Sequence, residues 1–297
     1  MECNLTNIYV IWSTGRRAMV NKLWFRELSR KWVAAREPTE APAPRRFTEA
    51  GCGAHSGKLH SWYLIYRWLN FATWLGVLVS SVLEWGSAEP VGKPEKWPIY
   101  LTNWDLSLGC TQALLGALLV TERWTRRSSS SAEVGCTRLI KVYWFLNIAT
   151  TSLALGVTSS YWCLVHDPSK HHLDAQNFLV HVLNSVLVLL DFILGNVPFE
   201  LRCFWWAPLV VVCYILFSLV YYFAGGLNKH GHHMLYNILD WKQPLQTIAY
   251  CIGGLFYLAF NHCLLCCLSR FRDRFYLDKF DAVIKDANFR AKTESSV

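Results

Sequence analysis

Six apolar stretches, each about as long as a bilayer-crossing helix, restrict what this 297-residue chain can fold into. A helix needs roughly 20 mostly apolar residues to cross the hydrocarbon core of a bilayer. Hydrophobic residues make up 53% of the chain, and they lie in blocks rather than in short periodic runs. The sequence therefore predicts an all-α polytopic membrane protein, a bundle of six transmembrane helices. The expected spans cover residues 62–85, 104–122, 139–163, 176–195, 204–224 and 246–268.

The distribution of basic residues predicts the orientation of these spans. Ten of the 29 Lys and Arg residues lie before residue 61 and seven lie after residue 268, whereas the loops 86–103, 164–175 and 225–245 together hold five. Basic residues accumulate on the cytoplasmic side of membrane proteins. We therefore expect both termini in the cytoplasm and these three loops outside. The net charge of +8 then indicates contact with a lipid bilayer and no nucleic-acid binding.

The composition divides the chain into three parts. Residues 1–60 are expected to form a basic, largely disordered cytoplasmic tail, residues 61–268 the transmembrane domain, and residues 269–297 a second basic tail. Three cysteines at the cytoplasmic end of the last span are candidate palmitoylation sites. The alternative is that they pack a helix end as small apolar residues. They are Cys263, Cys266 and Cys267.

A polar stripe interrupts the fourth span. At 100° per residue, His181, Asn184 and Asp191 fall within about 80° of one helix face. We expect this face to point into the bundle, because polar groups in lipid are costly. Ionisable residues inside a membrane often mark functional sites, so His181 is a candidate base. Interhelical hydrogen bonding is the alternative explanation for all three side chains.

Thr102, directly before the predicted second span, is a candidate nucleophile. The predicted topology places Thr102 and His181 at the outer ends of their spans, and therefore at a similar depth. The alternative is a helix cap, since Asp105 follows Thr102 at the spacing of a capping box.

Histidines accumulate in the predicted outer loops. They lack the ligand spacing of known metal sites, so we expect solvated side chains and neither a metal nor another cofactor. A zinc or copper site is the alternative. The residues are His166, His171, His172, His230, His232 and His233.

Two longer motifs resemble a known family. The stretch His181–Asp191, followed by Asn196–Pro198, and the stretch Leu235–Pro244 are similar to motifs of the rolling-stone family of multi-pass membrane proteins. Asn237 stands where the second motif of that family has a proline. The resemblance covers roughly residues 60–270 and implies six spans, a plasma-membrane location rather than the endoplasmic reticulum, and a role in myoblast fusion. It implies no established chemistry.

A more distant resemblance does imply chemistry. Leu101-Thr102 and the His181-x-x-Asn184-Ser185 pattern are similar to motifs of the androgen-induced and androgen-dependent transmembrane hydrolases of fatty-acid esters. The resemblance implies that Thr102 is the nucleophile, that His181 is the general base, and that Asn184 orients His181 or binds the oxyanion.

The sequence therefore leaves two functional hypotheses. The first is an intramembrane Thr/His hydrolase with a lipid-ester substrate. The second is a non-catalytic cell-surface protein that organises partners, for example in cell–cell fusion, and the sequence does not identify a protein partner.

Overall fold

The computed structural model describes residues 42–53, 59–88, 90–126, 137–166 and 173–294. Within these ranges helices are the regular elements, apart from two isolated β-bridges. The main helices are α1 (Ser61–Val82), α2 (Leu101–Arg126), α3 (Thr137–Ser160), α4 (Ala175–Leu194), α5 (Trp206–Phe223) and α6 (Pro244–Glu294). A π-helical turn, Tyr161–Val165, continues α3, and a second one, Phe178–Leu183, lies inside α4.

Five of these helices, α2 to α6, contain segments that are long and apolar enough to cross a membrane. They confirm the predicted class, an all-α polytopic membrane protein. The helix α1 lies outside this group, and its sequence includes Arg67, Asn70 and several tryptophans and tyrosines. Arg67 and Asn70 are nevertheless buried in the bundle.

Small residues on α2 allow its neighbours to pack closely. A Cβ atom on Gly109 would lie 2.5 Å from the ring of Trp74 on α1, and one on Gly116 would lie 3.0 Å from the ring of Tyr143 on α3. Small residues take this role between membrane helices because they let backbones approach. The helix α2 therefore lies between α1 and α3 and positions its first turn, with Thr102, against the rest of the bundle.

The helices described above belong to one compact unit, Ala43–Val297. In that unit, two short 3-10 turns, Pro44–Phe47 and Gly51–Gly53, bury Phe47 and Glu49. Composition predicted disorder for this stretch, but Phe47 packs edge-on against two aromatic rings of α3. Residues 1–41 and 54–58 of the predicted tail lie outside the described residues.

The helix α6 is longer than the predicted span. It continues without interruption past residue 268 to Glu294, into the stretch predicted as the second basic tail. Following the charge-based orientation, we call the end of the bundle with loop 224–243 the outer end, and the end with residues 43–53 the inner end.

Candidate functional site

A cavity of about 300 Å³ opens at the outer end of the bundle. Its walls come from the ends of α1 to α4 and from loop 224–243. Thr102, in the first turn of α2, and His181, in the π-helical turn of α4, both line this cavity. The two candidate residues therefore line one cavity, and their similar predicted depth is compatible with this arrangement.

Thr102 does not form the predicted helix cap. The helix begins at Leu101, and the Asp105 carboxylate turns inward, where its Oδ2 accepts a hydrogen bond of 2.7 Å from the Asn184 side chain. Thr102 instead lies beside the Tyr236 hydroxyl, and both residues line the cavity. The backbone N–H of Leu101 donates to the same Tyr236 oxygen over 3.0 Å. Loop 224–243 is therefore held against the start of α2, beside Thr102.

His181 is fixed by stacking. Its ring lies parallel to that of Tyr161, with 3.5 Å between the ring centroids and 9° between the planes. Its backbone carbonyl accepts a hydrogen bond of 2.6 Å from Thr158. Its Nδ1 is buried and has no hydrogen-bond partner among the described residues. Single π-helical turns of this kind are frequent at functional sites.

No hydrogen bond joins Thr102 to His181 in the described structure. In enzymes without substrate, catalytic hydrogen bonds are often long and tighten only when substrate binds. The geometry therefore places a hydroxyl and an imidazole in one cavity without coupling them directly.

Asn184 lies behind the site rather than in it. It is fully buried, lines neither the outer cavity nor the apolar cavity described next, and its amide N–H group donates to Asp105. The Asp105 Oδ1 and the Asn184 Oδ1 are both buried without a hydrogen-bond partner among the described residues. Sequence reasoning treated Asp105 as a cap, because spacing along one helix cannot reveal a partner on another.

A second cavity, of about 160 Å³, lies among α3, α5, α6 and loop 224–243. Most of its walls are apolar, and we call it the apolar cavity. Four residues line both cavities, and three of them carry a hydroxyl group. They are Thr102, Tyr161, Val165 and Tyr236. The outer cavity and the apolar cavity therefore meet at the candidate nucleophile, Thr102.

Tyr236 was not singled out individually in the sequence, although it belongs to the Leu235–Pro244 motif. Burial raises the pKa of its phenol to about 12. The Tyr236 hydroxyl therefore stays protonated near neutral pH and can act as a hydrogen-bond donor.

Asp191 is separate from the cavity. Its Oδ1 lies 2.6 Å from the Arg67 guanidinium, and its Oδ2 accepts hydrogen bonds from Gln112 and Asn147 over 2.9 and 3.2 Å. His181, Asn184 and Asp191 are all buried in the bundle, as the predicted polar stripe of α4 required. The contacts of Asp191 indicate a role in stability rather than in the cavity.

The three cysteines near the inner end differ in exposure. Cys266 is buried, with its sulfur 3.4 Å from a nitrogen of His262, whereas Cys263 is half-buried and Cys267 is exposed. Palmitoylation stays a prediction, and Cys267 is the residue whose exposure suits it best.

Four of the six outer histidines, His166, His230, His232 and His233, lie in the described part of the chain. The described residues contain no group of three or more His, Cys, Asp or Glu side chains placed to hold an ion. His171 and His172 lie outside the described residues.

Comparisons with known proteins agree with the first resemblance. The sequence profile of the family described as "Protein rolling stone" matches residues 54–287. A relative of that name from Drosophila melanogaster is 30% identical over 205 residues, which cover 66% of this chain and 72% of the relative. No solved structure matches the chain. The chain belongs to the rolling stone family.

Proposed function

We propose that this protein is a membrane-embedded hydrolase of lipid acyl esters, with Thr102 as nucleophile and His181 as general base. The observation that carries the proposal is the meeting of the outer and the apolar cavity at Thr102. An ester whose carbonyl lies at Thr102 extends its acyl chain into the apolar cavity and its alcohol part into the outer cavity. Both parts of an amphipathic substrate then find a matching environment.

The reaction is acyl transfer in two steps. The Thr102 oxygen attacks the ester carbonyl carbon while His181 takes the hydroxyl proton, and the C–O bond to the alcohol breaks as His181 returns that proton to the leaving oxygen. Water then attacks the acyl-threonine and gives a proton to His181. Cleavage of this second ester releases the carboxylic acid and returns the proton to Thr102.

Tyr236 is our candidate for stabilising the oxyanion. Its oxygen accepts from the N–H of Leu101, and in this scheme it donates its own proton to the substrate oxygen at Thr102. A preorganised donor aimed at developing negative charge typically contributes a factor of about 10²–10³ in kcat. Asn184, expected from the resemblance to orient His181 or bind the oxyanion, supports Asp105 in this scheme.

Labelling with a fluorophosphonate probe tests the proposal on the full-length protein in nanodiscs. We expect wild type and Thr102→Ser to react, and Thr102→Ala and His181→Gln to lose the label. Thr111→Ala is the matched control, because Thr111 lies on the same helix, is exposed, and donates only to Ser107 of its own helix, over 2.8 Å. Thr111→Ala should label like wild type.

The hydrolase proposal is overturned if the label persists in Thr102→Ala, or if wild type stays unlabelled beside a reactive threonine hydrolase. Elution from gel filtration establishes that each variant is folded. Release of fatty acid from a fluorogenic lipid ester provides the second readout, and it should follow the labelling pattern.

The second candidate is a non-catalytic cell-surface protein acting in cell–cell fusion, as the rolling-stone resemblance implies. The family match over residues 54–287 supports it, because the resemblance to that family implies no established chemistry. Under this candidate, Thr102→Ala promotes myoblast fusion as well as wild type and no variant takes the label. Surface biotinylation in the same cells separates a plasma-membrane from an endoplasmic-reticulum location.

A further inference from the structure

We infer that the apolar cavity binds the linear acyl chain of a lipid, which enters sideways from the bilayer past Gly254. The inference rests on the proposed function for the identity of the ester group at Thr102. It adds where the chain lies, how it enters and which residues limit its length.

The walls of the cavity suit a hydrocarbon chain. Leu153 and Val157 on α3, Val211 and Ile215 on α5, and Leu258 on α6 contribute apolar surface. All three helices contain membrane-spanning segments, so the molecules surrounding this part of the bundle are lipids. The polar groups that the apolar cavity shares with the outer cavity are hydroxyls, at Thr102, Tyr161 and Tyr236. A chain with one polar end therefore fits in a single direction.

Gly254 forms the mouth towards lipid. It lines the cavity and is exposed, and a Cβ atom built on it would meet no atom within 4 Å. Tyr250 and Tyr257 also line the cavity, one turn on either side along α6, and their side chains are 40% and 38% exposed. The helix surface between these two rings is therefore open, and a side chain at position 254 occupies that opening.

Gly156 and Leu258 close the cavity at depth. A Cβ atom on Gly156 would lie 2.8 Å from a terminal methyl carbon of Leu258, so α3 and α6 are in contact there. Leu258 lies one helical turn beyond Gly254 along α6, further from the outer end. The chain therefore runs from the ester at Thr102 inward to Leu258, and the Leu258 side chain limits its length.

Photo-crosslinking tests this site without requiring hydrolysis. The probe is a linear fatty acid that carries a diazirine and an alkyne, added to the full-length protein in nanodiscs. We expect adducts on α3 and α6 within the cavity, and a loss of at least about tenfold in those adducts for Gly254→Leu. Gly253→Leu is the matched control, because Gly253 is exposed on the same helix turn, does not line the cavity, and offers open space within 4 Å of where a Cβ atom would lie.

Both glycine variants should fold, because leucine is a better helix former than glycine. Equal cavity adducts in the two variants, or adducts confined to lipid-facing surfaces elsewhere, overturn the inference. A second variant, Leu258→Ala, should shift the preferred probe towards longer chains, and an unchanged preference contradicts Leu258 as the limit.

The two proposals fail in different ways. If the fluorophosphonate label is absent but cavity adducts depend on Gly254, the acyl site stands and the hydrolase does not. If Thr102 is labelled but Gly254→Leu changes neither the adducts nor the chain-length preference of hydrolysis, the hydrolase stands and the acyl site does not.

Discussion

Arg67 and Asp191 form an ion pair inside the bundle, with both side chains almost completely buried. Charges in such a place are unfavourable unless they are paired and their remaining hydrogen-bonding groups are satisfied. Gln112 and Asn147 donate to Asp191, and the Tyr63 hydroxyl accepts from Arg67, whereas the Arg67 Nε is buried without a partner among the described residues. Periodicity predicted the inward face of Asp191, but its partner on α1 depends on how two distant helices align.

The ion pair makes a specific prediction about stability. Asp191→Ala leaves Arg67 buried without a counter-ion, so we expect a loss of about 3–5 kcal/mol and a clearly lower Tm in detergent. Arg126→Ala removes a more exposed pair with Glu122 and should cost about 0–1 kcal/mol. Replacing both Arg67 and Asp191 by leucine should recover part of the lost stability. A Tm for Asp191→Ala equal to that of Arg126→Ala contradicts this account.

The sequence predicted the candidate site only in part. The predicted topology and the order along the chain placed Thr102 and His181 at a similar depth, and both line the outer cavity. They did not predict Tyr236, whose approach to Thr102 depends on the fold of loop 224–243. Residues supplied by loops depend on tertiary packing, which a hydropathy pattern does not describe.

At the scale of elements, the stretch 43–53 acts as a clasp on the inner end of the bundle. Glu49, whose side chain is fully buried, pairs with Arg123 of α2 over 2.6 Å, and Arg46 pairs with Asp273 of α6 over the same distance. The polar and basic composition of this stretch predicted disorder, because composition indicates how readily a segment is buried on average and not the contacts of single side chains. One aromatic side chain and two ion pairs suffice to order a short segment when a preformed bundle supplies the opposing surface.

The clasp predicts a local change in hydrogen exchange. Arg123→Ala removes the counter-ion of a buried carboxylate and two hydrogen bonds to the clasp, so we expect faster amide exchange in residues 44–53. Arg126→Ala, which breaks an exposed pair with Glu122 within α2, should leave that exchange unchanged. Exchange in α4 is the internal reference and should stay the same in both variants. Equal exchange of residues 44–53 in the two variants indicates that the clasp is held by other contacts.

At the scale of the whole molecule, hydropathy located all the main helices to within a few residues at most ends. The largest exception is the inner end of α6, where the helix extends into a basic stretch that the hydropathy pattern reads as tail. The lateral arrangement of the helices, which creates both cavities, could not be predicted, because a hydropathy profile has one dimension. It requires the close contacts of small residues such as Gly109 and Gly116, and these are visible only once partners are known.

Whether both termini lie on the same side of the membrane depends on the number of spans. That number depends on whether α1 crosses the membrane. Its 22 residues extend about 33 Å, enough to cross the hydrocarbon core. Its charged residue is turned into the bundle towards Asp191, while its exposed side chains include Ile65, Leu69 and Val79, as expected of a lipid-facing surface. We therefore predict that α1 crosses the membrane, which gives six spans and puts both termini on the same side.

Epitope tags at the two termini check this prediction by protease protection in intact cells. We expect both tags to be protected until the membrane is permeabilised, whereas a new glycosylation sequon in the loop between α1 and α2 should be modified. If α1 lay along the membrane surface, five spans would remain and one tag alone would be accessible. That outcome would also place Arg67 outside the membrane, which is incompatible with its buried pair with Asp191.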